Sequence, residues 1–470
     1  MSATATTEKK YLKWYQKLAY GSGDLASNCS YGLVSSFVLL YLTGTLGLDS
    51  AIIGSLMLAS KVLDGISDVI FGTLIDRTHS KLGKARPWML FGQVGVSLCL
   101  FLLFAIPAGS TTMQYIYFFI VYTALNAVFY TANGIAYSSL VALITKNNNE
   151  RVQLGSFRFM FAVVTNIFMG FAVTGMVEKF GSGAAGWRTT ALIFAIVGLV
   201  VNTISCLAVK ELPEEELSGN TSEAAEEGKA VAEEKKHSFA ETAKILVHNK
   251  YYLMILAIYI VYYIMSNLTT GAGVFCATYY WGDGSLLGQF SMMKMFPVII
   301  ALAIAPVLIK KTGSMQKVNF WGYAISSVLG IPMIYFAMQK NLSMFLLFMF
   351  IKGIFAGTLS GSLNALIAEA SGYTTRTTGI HMDGMMYSCS SLGVKVGGGI
   401  GTAAVGWLLK LGGFVGTATV QSESAIRMIF NLYITFPFVI GIIITVLLAF
   451  LDVEKANKKW DAEHQKEAQA

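Results

Sequence analysis

Three ionisable residues stand inside an apolar stretch: Lys61, Asp64 and Asp68, at i, i+3 and i+7. On a helix that spacing lays them along one face, with Ser67 adjacent. Two carboxylates four residues apart repel, so one must be protonated or a cation must sit between them. A hard monovalent cation wants several oxygen ligands, and two carboxylates with a nearby hydroxyl supply them. The stripe reads as a site for Na⁺ or H⁺. The competing reading is a pair of carboxylates bound to Lys61 and Lys395 that merely locks a helix bundle. Asp24, after Tyr20-Gly-Ser-Gly23, is a further candidate, because a carboxylate accepts two hydroxyl hydrogen bonds at once and so suits a vicinal diol. Its alternative is a helix-end residue bonded to backbone or to an arginine. Lys395 lies beside Gly393, Gly397, Gly398, Gly399 and Gly401. Glycines permit close helix approach, and the lone ammonium calls for a carboxylate, with Asp64 or Asp68 as candidates.

These charges are informative because of what surrounds them. The 470-residue chain is 54% hydrophobic and 13% charged, against about 25% charged in ordinary soluble chains. Its apolar runs are about 20 to 30 residues long, enough to cross about 30 Å of hydrocarbon as helices. Unsatisfied backbone is costly in lipid, so only helices or a closed barrel can span it, and the runs do not alternate as barrel strands do. Breaks rich in Gly, Pro and charge give twelve spans: 18–46, 51–75, 88–108, 113–144, 158–178, 189–209, 251–281, 286–309, 318–338, 343–370, 382–409 and 428–452.

The basic residues test that count. With the N-terminus inside, 25 of the 34 lysines and arginines fall in inner segments and five in outer ones, as the positive-inside rule requires. Lys61, Lys294, Lys352 and Lys395 fall within spans. Residues 210–250, rich in Glu, Lys, Ala and Ser, interrupt the pattern after the sixth span and read as a flexible connector. The expectation is an all-α membrane protein of twelve transmembrane helices in two six-helix bundles. It divides into a cytoplasmic N-terminus (1–17), a first bundle (18–209), a cytoplasmic connector (210–250), a second bundle (251–452) and a solvated cytoplasmic tail (453–470). The expected location is the plasma membrane, with both termini cytoplasmic.

Several classes are disfavoured. The net charge of +7 follows the membrane topology rather than forming a nucleic-acid face. Cys29, Cys99, Cys206, Cys276 and Cys389 are scattered through apolar runs without CxxC spacing, as small membrane-helix residues are. There is no HExxH, and Gly83-Lys84 is followed by Ala85, so no phosphate loop is present. No enzyme and no resident cofactor or metal is expected, beyond Na⁺ or H⁺ as a coupling ion.

Gly72-Thr-Leu-Ile-Asp76-Arg77 followed by Gly83-Lys84-Ala-Arg86 resembles the major facilitator loop signature, with a weaker echo at Pro306 to Gly313. More specifically, Lys61-Val-Leu-Asp64-Gly-Ile-Ser-Asp68 and Lys81-Leu-Gly-Lys84-Ala-Arg86-Pro87-Trp88 resemble the glycoside–pentoside–hexuronide cation symporters. Supporting segments are Tyr20 to Asp24, Tyr137-Ser-Ser-Leu140, Glu150-Arg151 with Arg158, Ala368-Glu369 with Tyr373, and Gly393-Val-Lys395. The resemblance implies a cation site of Asp64 and Asp68 with Thr131 and Ser67, and sugar recognition by Asp24 and Arg158. It also implies an aromatic lining position at Tyr130, and Ser390, Ser391 and Val394 around Lys395. The departures are Gly134, where family members carry a sugar-binding Asp or an Asn, Ser138 for a Trp, Ala136 for a common Pro and Gly23 for a Lys. Asn133 points about 100° away from the Gly134 position on a regular helix. A wider or differently shaped pocket follows.

The implied activity is symport of a sugar or glycoside by alternating access, the protein working as a monomer in the lipid bilayer. Arg77, Arg151 and Arg376 are expected to latch one state through Asp76, Glu150 or Glu369. The second reading is a cation-coupled transporter of an amphiphile such as a lysolipid. It would be favoured by an aromatic and methionine-lined pocket from which Asp24 and Arg158 were absent.

Overall fold

A computed structural model describes residues 9–213, 216, 245–380, 383–418 and 420–467. Residues 214–215 and 217–244 of the expected connector, 1–8 of the N-terminus and 468–470 of the tail lie outside the described residues. Those described form helices and no strands. In chain order they are α1 (Trp14–Thr45), α2 (Ser50–Asp76), α3 (Arg86–Leu103), α4 (Thr111–Ile144), α5 (Asn148–Lys179) and α6 (Gly183–Leu207). Then come α7 (Lys250–Trp281), α8 (Leu286–Thr312), α9 (Met315–Met338), α10 (Leu342–Thr378) and α11 (Asp383–Leu411). Helix α12 runs from Glu423–Phe430 through a π-helical turn into Phe436–Phe450, and α13 is Val453–Glu467. Each of the twelve expected spans corresponds to one of α1–α12. This is a multi-pass membrane protein.

Two compact units are present, one of Met1–Leu48 with Ala59–Lys236 and one of Asp49–Leu58 with His237–Ala470. Helix α2 thus begins in the second unit and carries its charged stripe in the first. Along α2, Val62, Ile66 and Val69 expose 63%, 58% and 73% of their surface. Their i, i+4, i+7 spacing forms an apolar stripe suited to lipid, while Asp64 is buried.

Within the first unit, side-chain amides join helices that lipid alone would not drive together. Asn133 of α4 donates to Gln93 Oε1 of α3 at 3.0 Å, and Asn202 of α6 donates to the Met89 carbonyl at 2.9 Å. In the second unit, Gly393, Gly397 and Gly401 form a flat stripe on α11. A Cβ at Gly397 would stand 2.4 Å from the Ile260 carbonyl oxygen of α7, and one at Gly401 2.6 Å from that of Ile264.

The two units share a device at the starts of α3 and α9. The Glu211 carboxylate accepts from the backbone N–H groups of Lys84 (2.7 Å), Ala85 (3.0 Å) and Arg86 (3.1 Å), covering donors a helix start leaves unsatisfied. Four residues beyond α12, Glu454 accepts from the Ser314 hydroxyl and from Gln316 N at 3.0 Å, at the start of α9. Glu211 likewise lies four residues beyond α6. The basic loop Lys81 to Arg86 is therefore seated by an acidic residue outside the motif. Glu211→Ala is expected to cost about 1–2 kcal/mol, read as earlier thermal unfolding in detergent, whereas Glu211→Gln is expected to lose only part of this.

Three boundaries differ from expectation. Helix α1 starts at Trp14, and Lys17 is buried against Glu150 at 3.0 Å. Helix α5 starts at Asn148, capped by the Asn147 side chain accepting from Glu150 N, so Arg158 lies three turns in and not at the helix start. The polar first turns Glu150-Arg151 hid that start. The tail is not simply solvated: α13 buries Val453, Glu454 and Asn457.

Candidate functional site

The candidate site is built on α1, α2, α4 and α5 of the first unit. Helix α4 contains a π-helical turn at Ala124–Tyr130, a local widening often found at functional positions, and Thr131 follows it. The Thr131 hydroxyl lies 2.6 Å from Asp64 Oδ1 and 2.9 Å from the Asn126 carbonyl, so one proton serves two acceptors. Lys61 Nζ sits 3.3 Å from Asp64 Oδ2. Asp64 is 8% exposed, and Ser67 turns back to donate to the Asp64 carbonyl at 2.9 Å. The structure thus joins Lys61, Asp64 and Thr131, while Asp68 stands one turn on, half-buried. Lysine and threonine both hold Asp64, combining the ion-pair lock with the oxygen donor a cation site requires.

Asp24 is positioned by close packing around it. A Cβ at Gly21 would stand 2.6 Å from Phe157 Cβ of α5, and one at Gly23 2.8 Å from the Tyr137 ring and 2.9 Å from Ser205 Oγ. A lysine at position 23 has no room there, which accounts physically for that departure. Arg158 Nε donates to Asp24 Oδ2 at 2.6 Å, and its guanidinium lies 4.2 Å from the Tyr137 ring centroid. The Tyr137 hydroxyl is 3.3 Å from the same carboxylate oxygen and donates to the Tyr20 carbonyl at 2.8 Å. Asp24 is thus arginine-bound, as its structural alternative had it. A substrate hydroxyl would have to share the carboxylate with Arg158.

Tyr31 stacks on Tyr130 at 5.4 Å between ring centroids, and Lys61 Nζ lies 5.9 Å over the Tyr31 ring. One side chain of the stack neighbours Thr131 in sequence and the other stands two turns along α1 from Asp24. Sequence reasoning assigned no role to Tyr31, Tyr137, Asn28 or Asn166. Asn166 of α5 donates to Asn28 Oδ1 at 3.0 Å. Asp24, Asn28 and Tyr31 follow i, i+4, i+7 along α1, a spacing that marks one helical face and is visible in the sequence. Gly134 has open space where a Cβ would stand, while Asn133 is turned into α3. Gly134→Asp is therefore expected to fold like the parent and to change the ranking of sugars in competition assays; an unchanged ranking would place position 134 outside the pocket.

The remaining residues lie elsewhere. In the second unit Ser390 donates to the Tyr387 carbonyl, Lys395 is half-buried, and Ser391 and Val394 are exposed on α11. The expected latch is engaged differently. Glu150 is held by Lys17 (3.0 Å) and Thr145 (2.7 Å), and Arg151 donates to the Thr145 carbonyl. Arg376 donates to Asp461 and Asn457, while Glu369 accepts from Asn457 at 2.8 Å. The docked tail helix supplies these partners, and its polar composition gave no hint of docking. Asp76 and Arg77 are exposed at the end of α2.

A model of the MFS/sugar transport protein family matches residues 19–455. The chain belongs to this family. As a sugar-transport family member, the chain is 26% identical over 466 residues to the isoprimeverose transporter of Lactiplantibacillus pentosus, covering 98% of this chain and 93% of that one. It is 25% identical over 426 residues to the inner membrane symporter YicJ of Escherichia coli (strain K12), covering 90% and 88%. In fold, this transporter resembles the crystal structure of a D-xylose-proton symporter with a TM-score of 0.64 at 12% identity, covering 94% and 98% of the two chains. The family is one of transporters, not enzymes.

Proposed function

We propose that the protein is a secondary active transporter that couples entry of Na⁺ or H⁺ to symport of a sugar or glycoside by alternating access. The observation that carries this is the hydrogen bond from Thr131 to Asp64 across α4 and α2, in the same unit as the Asp24–Arg158 pair. Asp64, Asp68, Thr131 and Ser67 bind the coupling cation. Asp24, Arg158 and Tyr130 bind substrate, joined by Ser390, Ser391 and Val394 of the second bundle, and Lys395 completes the charge network. Cation binding relieves repulsion between Asp64 and Asp68 and fixes α2 against α4. The Tyr130–Tyr31 stack carries that change toward Asp24. Supporting this reading are relatives named for isoprimeverose transport and for symport, and a fold neighbour named for D-xylose and proton. The amphiphile reading is less well supported, because Asp24 and Arg158 are both present as a pair.

The protein works as a monomer in the plasma membrane, both termini cytoplasmic, with two six-helix bundles at 18–209 and 251–452 joined by the 210–250 connector. Asp76, Arg77, Arg151, Glu369 and Arg376 form the cytoplasmic gate. The test is uptake of a mixed glycoside panel into proteoliposomes, read by mass spectrometry under an inward Na⁺ gradient, an inward H⁺ gradient or neither. Accumulation of one sugar under one gradient names substrate and cation together. Protein shown to be folded that accumulates no sugar under either gradient would end this reading.

A further inference from the structure

Lys294 and Lys352 have no place in the cation and sugar site, yet both lie in apolar helices, where an ammonium is rare and generally functional. They line one cavity of about 180 Å³ bordered by α7, α8, α9, α10 and α12 of the second unit. A water needs roughly 10–15 Å³ of such space, so a small anion has room. Close packing brings the two lysines to it. A Cβ at Gly353 would stand 2.8 Å from Pro297 Cβ, and one at Gly357 2.7 Å from Ala301 Cβ. That seats α10 flat on α8, with Lys352 one residue before the first contact and Lys294 three before its partner.

Lys294 Nζ reaches only hydroxyls, those of Thr269 and Thr270, each at 3.2 Å. Among the described residues no Asp or Glu lines the cavity, and neither lysine makes an ion pair. The Tyr323 hydroxyl is a further, independent sign. Tyr323 is 2% exposed and lines the same cavity, and its oxygen has no hydrogen-bond partner. Two lysines and a buried phenol line one cavity that no described carboxylate lines, an arrangement that a bound anion would complete.

We propose that this cavity is an oxyanion-binding site, in which Lys294, Lys352 and the Tyr323 hydroxyl hold a carboxylate, sulfate, sulfonate or phosphate group. It lies wholly in the second unit, apart from the Asp24–Arg158 pair of the first, and does not depend on how that pair is used. The methionines and aromatics of its wall, including Met293, Met349 and Phe345, leave the rest of the ligand in apolar surroundings.

The test is ligand-dependent thermal unfolding of the purified full chain in uncharged detergent. Probes are sodium glucuronate, sodium sulfate and sodium phosphate, against sodium chloride at equal ionic strength and D-glucose. A second arm adds phosphatidylglycerol or phosphatidylcholine to the micelles. At least one oxyanion is expected to stabilise the protein saturably, with half-saturation rising about tenfold or more in Lys294→Met and Lys352→Met. Tyr323→Phe, which preserves shape, is expected to shift it about threefold or more and stands in if a lysine variant fails to fold. Stabilisation by a soluble oxyanion assigns the site to a solute. Stabilisation by phosphatidylglycerol alone, lost in the same variants, assigns it to a lipid headgroup. No response to any of these anions, or a response unchanged in the lysine and tyrosine variants, overturns the proposal.

Discussion

Asp68→Asn is expected to abolish gradient-driven accumulation in proteoliposomes while leaving a folded protein that still binds substrate. The variant removes one negative charge from the α2 stripe without touching the Lys61–Asp64 pair or the Thr131 bond. With one carboxylate gone, no cation is needed to relieve repulsion, and substrate affinity loses its dependence on the coupling ion. Coupling free energies of about 1–3 kcal/mol correspond to affinity changes of roughly 5–150-fold, so the ratio of substrate affinity with and without cation is expected to collapse toward unity. Asp64→Asn is expected to be more damaging. It also leaves Lys61 without this carboxylate, and breaking a buried pair costs about 3–5 kcal/mol, an upper figure here because Lys61 is only partly buried. Binding isotherms at several Na⁺ concentrations and pH values separate the outcomes. Undiminished accumulation in Asp68→Asn would remove Asp68 from the coupling site.

The second large effect concerns Asp24 and Arg158. Asp24→Asn is expected to weaken sugar binding by about 10–150-fold, the loss of one charge-assisted hydrogen bond. Cation-dependent stabilisation should persist in that variant, because Asp64 and Thr131 are untouched. Arg158→Lys keeps the charge but loses the planar fork and the stacking on Tyr137. It is expected to lose most of the affinity too, which a purely electrostatic role for Arg158 would not produce. A folded Asp24→Asn protein that binds sugar as the parent does would leave the pair a structural strut of the α1–α5 contact.

The sequence by itself determined the class of the molecule. Long apolar runs admit only helices in lipid, and the lysines and arginines order them, so the twelve spans could be counted from residue types alone. It also marked Asp64 and Asp68, because a carboxylate in an apolar helix is costly enough to demand a reason. Thr131 and Arg158 came from resemblance, since a threonine, or an arginine at the edge of an apolar run, announces nothing by itself. Tertiary structure decided which atoms meet. Thr131 meets Asp64 directly after a π-helical turn in α4, and the wider winding of that turn leaves no compositional trace. The Tyr31–Tyr130 stack and the Arg158–Tyr137 contact join residues about 100 or about 20 positions apart, through helix faces set by packing. The docking of Glu211 and Glu454 on the starts of α3 and α9, and of the tail helix on Glu369 and Arg376, was equally hidden. A polar segment reads as solvated until a helix end with unsatisfied backbone groups is brought beside it.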